Sequence, residues 1–212
     1  IGDEGAKRLA IALMVNKSLQ VMDFESNNIG AEGVKHLGVA LKVNQSLREI
    51  SVGDNQIGVE GAKSLATALM VNKSLQDINL RGNNIGDKGA QSLASSLVLN
   101  QSLCQLYLSG NNIGHQGAKA IADALEYNHV IKKIGLRDNR SLSGGEGSII
   151  RKRIYTILRD AKRQARPNNI VNCLLEHLKM SVCTKEKDIA SNISELKRKD
   201  DIIAGKDDEI AL

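Results

Sequence analysis

The chain has 212 residues, a net charge of +5 and 42% hydrophobic residues, and no apolar run approaches the roughly 18 residues that a membrane-spanning helix requires. Aromatic residues make up only 2%, so a core must be built from Leu, Ile, Val and Ala, which suits thin, regular layers. The three cysteines, Cys104, Cys173 and Cys183, are odd in number and lack paired or zinc-knuckle spacing; this excludes a disulfide framework and points to free thiols in a reducing, cytoplasmic setting.

From the first residue the chain repeats itself. Ile1, Ile29, Ile57, Ile85 and Ile113 are 28 residues apart, and Gly5, Gly33, Gly61, Gly89 and Gly117 keep the same step. So do Leu13, Leu41, Leu69, Leu97 and Leu125, and two asparagine series: Asn16, Asn44, Asn72, Asn100, Asn128, and Asn27, Asn55, Asn83, Asn111, Asn139. Five units fill residues 1–140 without an insertion. Because Ile1 falls inside the pattern, the sequence reads as a piece of a longer chain, with the number of preceding units open.

Each unit contains a helix and a strand. In the third, Ala62, Leu65, Ala66 and Leu69 fall at i, i+3, i+4 and i+7, one face of a helix. Asn72 is expected to end it in the left-handed conformation. Ile78 and Leu80 then alternate with Asp77 and Asn79, as in a half-buried strand. Leu75, Ile78, Leu80 and Asn83 spell L-x-x-L-x-L-x-x-N. One short strand and one helix cannot bury their apolar faces alone, whereas stacked neighbours share a continuous core. The Asn amide, both donor and acceptor, can bridge backbone groups of adjacent turns.

This pattern resembles that of leucine-rich-repeat proteins. The 28-residue period and the G-x-x-G-A-x-x-L-A-x-A-L helix are similar to the ribonuclease-inhibitor-like subclass, which includes the sensor repeats of NOD-like receptors. A weaker resemblance is to tropomodulin-like actin regulators, in which a repeat domain ends in a distinct helix. The resemblance implies an α/β fold: a right-handed solenoid, a horseshoe arc with parallel strands concave and helices convex. A C-terminal helical cap and tail would complete it. The implied function is protein binding, with immune sensing or enzyme inhibition among its uses.

The outward strand positions vary from unit to unit while the frame repeats. Asp23 and Glu25 belong to the first unit, Glu49 and Ser51 to the second, and Asp77, Asn79 and Arg81 to the third. Gln105, Tyr107 and Ser109 belong to the fourth, and Lys133 and Arg137 to the fifth. Val21, Gly53 and Gly135 complete the alternation. The face grades from acidic at units one and two to basic at unit five. It is therefore expected to bind a protein partner of opposite polarity, which sets register and association rate.

After Asn139 the repeat stops. Residues 141–147 read as a Gly/Ser loop. Ile149, Ile150, Ile154, Ile157, Leu158 and Ala161 then recur at helical spacing, which predicts a capping helix over 148–165 that covers the last layer. Residues 141–166 carry 7 basic and 2 acidic side chains, against 15 and 13 in residues 1–140. Arg151, Lys152, Arg153, Arg159, Lys162, Arg163 and Arg166 could meet an anionic partner through helix 149–166, either nucleic acid or a membrane surface. A cap with a solvated outer face is the favoured reading, since only Tyr155 is available for stacking.

In the tail, residues 167–212, Leu175, Val182, Ile189, Leu196, Ile203 and Ile210 lie every seven residues, a stripe that suggests a coiled coil and self-association through 170–212. Beyond Val171 and Leu178 its companion seam carries Lys185, Asn192, Lys199 and Lys206, which favours a single solvated helix or a frayed tail. The alternative function is then a structural scaffold that assembles through this tail. Asn-x-Ser sequons at Asn16, Asn44, Asn72 and Asn100 keep the repeat step and read as turn residues. The four histidines fall in no metal spacing, and neither a phosphate loop nor a nucleophile–base pair is present. The chain is therefore read as a non-enzymatic binding protein with no catalytic residue, cofactor or metal.

Overall fold

The computed structural model describes residues 1–163. The chain divides into two units, Ile1–Arg166 and Pro167–Leu212. The tail stripe, Cys173, Cys183, His177 and Arg166 lie outside the described residues.

Helix and strand alternate as the periodicity requires: α1 Gly2–Val15, β1 Val21–Asp23, α2 Ala31–Val43, β2 Glu49–Ser51, α3 Gly58–Leu69, β3 Asp77–Asn79, α4 Gly86–Leu99, β4 Gln105–Tyr107, α5 His115–Leu125 and β5 Lys133–Gly135. A short 3-10 turn, Arg140–Leu142, leads into α6, Gly145–Arg163. The strands form one parallel sheet in chain order, β1-β2-β3-β4-β5. The register equals the repeat, for Val21, Glu49, Asp77, Gln105 and Lys133 are successive partners. This is the α/β leucine-rich-repeat architecture that the sequence implies.

One apolar interior runs through all five units. In the third, Ile57, Ala62, Leu65, Leu69, Leu75, Ile78 and Leu80 are wholly buried. Burying a side chain the size of Leu or Ile contributes roughly 1.5–3 kcal/mol, so the stack rests on these repeated layers. Alanine on the inner helix face brings each helix close to the sheet.

Two asparagine ladders hold the backbone between layers. Asn72 Nδ2 donates to the carbonyls of Leu41, at 2.7 Å, and Asn44, at 3.0 Å, in the preceding unit. Its Oδ1 accepts from the N–H groups of Ser74 and Leu75. On the other side of the strand, Asn83 Nδ2 reaches Val52 O at 2.8 Å and Leu80 O at 3.1 Å, while its Oδ1 accepts from Ile57 N–H. Buried backbone groups must find partners, and the amide supplies them across 28-residue steps. The sequons at Asn44, Asn72 and Asn100 are buried in this ladder.

The ladder corrects one expectation. Asn16, Asn44 and Asn100 follow their helices in extended conformation, with φ near −73° and ψ near 130°, and Asn72 is not left-handed either. An extended backbone aims the side chain back at the preceding layer, where its hydrogen bonds are made. Left-handed residues sit instead after the strands, at Ser26, Asp54, Gly82, Gly110 and Asp138, and again two residues on at Asn28, Asn84 and Asn112.

Helix starts take two forms, decided by the preceding unit. Asp3 Oδ1 accepts from Gly30 N–H at 2.6 Å and Gly33 N–H at 3.0 Å. Asp87 does the same for Gly114 and Gly117, at 2.7 and 2.8 Å. Each carboxylate thus caps the positive N-terminal end of the next unit's helix. Where that position holds Ala31 or Val59, the next helix begins at a left-handed glycine, Gly58 (φ +60°) or Gly86 (φ +61°). A residue with a Cβ would be strained there.

The segment after Asn139 is more ordered than its Gly/Ser content suggests. Leu142 is buried in the 3-10 turn, and α6 starts at Gly145, three residues earlier than residue 148, again at a left-handed glycine (φ +51°). Helix α6 packs against α5 and buries Ile154 and Leu158.

Candidate protein-binding face

A three-residue strand gives two outward side chains and one inward. The middle residues, Ile50, Ile78, Leu106 and Ile134, enter the core, while Met22 in the edge strand is half-buried. The outward positions form two rows across the sheet. Val21, Glu49, Asp77, Gln105 and Lys133 make one; Asp23, Ser51, Asn79, Tyr107 and Gly135 make the other. Neighbours in a row stand on strands about 4.8 Å apart.

The first four strands line an open groove of about 400 Å³. Asp23, Glu49, Ser51, Asp77, Asn79, Gln105 and Tyr107 from the sequence-predicted set line it, joined by Val21, Met22 and Ile50. Glu25, Arg81, Ser109 and Arg137 fall beyond the strand ends and outside the groove. Gly53, also past its strand, is buried against Asn79, where a Cβ would sit 3.1 Å from Nδ2. Strands of three residues end before the alternation read from the sequence runs out.

At the unit-five end the polar groups satisfy one another. Tyr107 OH donates to Gln105 Oε1 at 2.7 Å and accepts from Lys133 Nζ at 3.1 Å. The Lys133 ammonium lies 4.9 Å from the Tyr107 ring centroid, a cation–π contact. Asn79 Nδ2 donates to Ser51 Oγ at 3.2 Å. At the acidic end matters differ. Asp23 accepts only the N–H of Glu25, at 2.9 Å, and no described cation pairs with Asp23, Glu49 or Asp77. Asp77 Oδ1 is shut off from solvent and has no hydrogen-bond donor.

Carboxylates on the outer helix faces are paired with cations, while Asp3 and Asp87 serve as inter-unit caps. Glu4 meets Lys7 and Arg8, Glu32 meets Lys35, and Glu60 meets Lys63 at 2.6 Å. The Arg8 hydrogen bond, with help from Lys7, holds the Glu4 carboxyl below its ordinary value. One group that the sequence placed in a basic cluster is also consumed. Arg153 of α6 donates to Asp123 of α5 at 2.9 Å and to Glu126. Partial burial alone would raise Asp123, but the Lys119 and Arg153 hydrogen bonds outweigh it and hold the group below its ordinary value. Glu126 and then Asp123 raise Arg153 in turn. No sequence signal marks this clamp, because its partners lie 27 and 30 residues apart.

Among the described residues no group of three or more His, Cys, Asp or Glu is placed to hold a metal, and no helix is long and apolar enough to cross a membrane. Cys104 is a half-buried free thiol.

Stacked helix–strand units with a ladder asparagine and a variable strand face define a repeat solenoid. The model for leucine-rich repeats matches four consecutive stretches, residues 15–38, 43–66, 71–94 and 99–122. The chain belongs to the leucine-rich-repeat family. A search among curated proteins returns no match. Among solved structures, the leiomodin-1 actin-binding site 2 superposes with a TM-score of 0.64 at 16% identity, over 87% of this chain and 96% of that one. The tropomodulin C-terminal domain from Caenorhabditis elegans gives 0.62 at 17% identity, over 76% and 93%. At these identities the likeness is one of fold.

Proposed function

We propose that the chain binds a protein partner through the strand face, oriented by an acidic end at units one to three and a basic end at unit five. It acts as a non-enzymatic module, as a leucine-rich-repeat domain commonly does, with five repeats over residues 1–140 and a helical cap over 141–166. The observation that carries this reading is the set of strand-face carboxylates without counter-ions among the described residues. Charge unspent within the fold is available to steer and orient a partner. Glu25, Arg81, Ser109 and Arg137, past the strand ends, form the rim of the same face.

Capture of partners from cell extract by the full chain tests this. Reversing Asp23→Lys, Glu49→Lys, Lys133→Glu and Arg137→Glu together should abolish capture, and unchanged capture would refute the reading. The leiomodin-1 domain is named for actin binding, so actin is the first partner to assay. A role for helix 149–166 on anionic surfaces is disfavoured, because Arg153 is engaged by Asp123 and Glu126.

A further inference from the structure

The residue before each ladder asparagine ends or follows its helix, and in the first three units it is valine. Asn44 Nδ2 donates to Asn16 O at 2.7 Å, Asn72 Nδ2 to Asn44 O at 3.0 Å, Asn100 Nδ2 to Asn72 O at 3.2 Å and Asn128 Nδ2 to Asn100 O at 2.9 Å. These bonds set the preceding residues side by side in one row: Val15, Val43, Val71, Leu99 and Tyr127. Leu99 is half-buried, but the others stand in solvent, Val43 at 54% and Val71 at 51%. Met70 and Val39, also exposed, widen the row. Single exposed apolar residues are ordinary; recurrence at one repeat position builds a patch. The fold does not call for valine there. It is a weak helix former, and the contacts between units are made by the asparagine beside it.

Charge along this edge has one sign. Residues 14–18, 42–46, 70–74 and 98–102 hold no carboxylate, and in the fifth unit Glu126 is taken by Arg153. Lys17, Lys42 and Lys73 are exposed beside the row and have no ion-pair partner among the described residues. Nearer the start of the same helices, Lys35 and Lys63 are paired with Glu32 and Glu60. The complement of such an edge is an apolar stripe bordered by carboxylates. Spacing says which element carries it. Packed helices stand about 8–10 Å apart, and seven residues of an α-helix span about 10 Å. A helix laid across the units, apolar at every seventh position, meets one row residue per unit. A lipid surface fits less well. Its usual anchors are large and aromatic, whereas the chain has no Trp and its one Phe, Phe24, is buried.

We infer that this edge, a second surface beyond the strand face, docks an acidic amphipathic helix of a partner protein. The apolar stripe of that helix lies on Val15, Val43 and Val71, and its flanking carboxylates pair with Lys17, Lys42 and Lys73. The cations steer the approach, and the apolar row holds the helix once it has arrived.

Fluorescence anisotropy with the full chain tests this, using a labelled peptide of four Leu-Glu-Lys-Ala-Ala-Ala-Glu heptads. Controls are a scrambled peptide of the same composition and an analogue with Gln for Glu. The striped acidic peptide should bind, and both controls should bind about tenfold or more weakly. Affinity for the striped peptide should also fall by about tenfold or more in Val43→Ser/Val71→Ser and in Lys17→Glu/Lys73→Glu. It should hold within about twofold in Lys35→Gln/Lys63→Gln on the same helices. The four-site strand-face reversal should leave it unchanged as well, so this inference and the strand-face reading fail separately. Circular dichroism confirms that each variant folds. Absence of binding, equal binding of the scrambled peptide, equal loss in Lys35→Gln/Lys63→Gln, or loss in the strand-face reversal overturns the inference. Phosphatidylserine vesicles give the last arm: sedimentation with them that Val43→Ser/Val71→Ser abolishes, while peptide binding is unaffected, would assign the edge to lipid and overturn it too.

Discussion

The helix and strand faces of the repeat treat the same chemical group in opposite ways. On the helices Glu4, Glu32, Glu60 and Asp123 each have a cation three or four residues away. On the strands Asp23, Glu49 and Asp77 have none among the described residues. Helix pairs of this kind are local and contribute a few tenths of a kcal/mol each. Strand carboxylates stand side by side and add repulsion instead. Charge on the helix face is paired within the fold, whereas charge on the strand face has no counter-ion among the described residues.

The comparison depends first on the ladder that keeps the strands in register. Asn83→Ala removes the donor for Val52 O and Leu80 O and the acceptor for Ile57 N–H, all buried. It should cost about 3 kcal/mol, since each orphaned buried group costs roughly 1–3 kcal/mol. Urea unfolding measures this, and a midpoint near wild type would show that the ladder does not hold the strand face.

A smaller effect is expected where a long-range ion pair joins α6 to the repeats. Arg153→Met should destabilise by about 1 kcal/mol, because both partners are partly exposed and screened. The same contact sets an acid dependence. Asp123 has a folded value below its ordinary 3.8, so its contribution is fully present above pH 3.8 and is lost as pH falls below that, through the lower folded value. In melts, the gap between wild type and Arg153→Met should hold from neutral pH down to 3.8 and narrow as pH falls below it; a gap that widens with acidification would contradict the ion-pair account.

Removing an inter-unit cap should cost comparably or slightly less. Asp87→Ala leaves Gly114 and Gly117 N–H without their acceptor and should lower stability by about 1 kcal/mol. Ala31 and Val59 already occupy the same position in other units, so hydrogen exchange should speed up at the start of α5 and not of α3. Faster exchange in both would refute a local cap.

The repeat was legible because every buried contact recurs at one step, so Ile57, Leu65, Leu69, Ile78 and Asn83 announce the layer that they build. The two forms of helix start were not read in advance, because the cap from Asp3 or Asp87 reaches a unit 27 to 30 residues away. What escaped the sequence depends on distance or on backbone angle. Ladder asparagines look like left-handed helix ends until the preceding layer is in place to receive their amides. Arg153 looks like one more solvated cation until α6 lies on α5. Gly145 looks like loop because composition does not distinguish a flexible glycine from one that starts a helix. The outward strand set was legible as a face, but Glu25, Arg81, Ser109 and Arg137 fall past strands only three residues long. The orphaned oxygen of Asp77 belongs to burial alone and leaves no trace in the residue order.

The smallest effect tests the central claim most directly. Thermal melts of Glu49→Gln/Asp77→Asn and Glu32→Gln/Glu60→Gln should be compared with wild type at low and high salt. The strand-face variant is expected to melt about 1–2 °C higher at low salt, a gain that fades at high salt as repulsion is screened. The helix-face variant should melt slightly lower. A strand-face variant that melts below wild type would mean that Glu49 and Asp77 already have a structural task, and their charge would not be held for a partner.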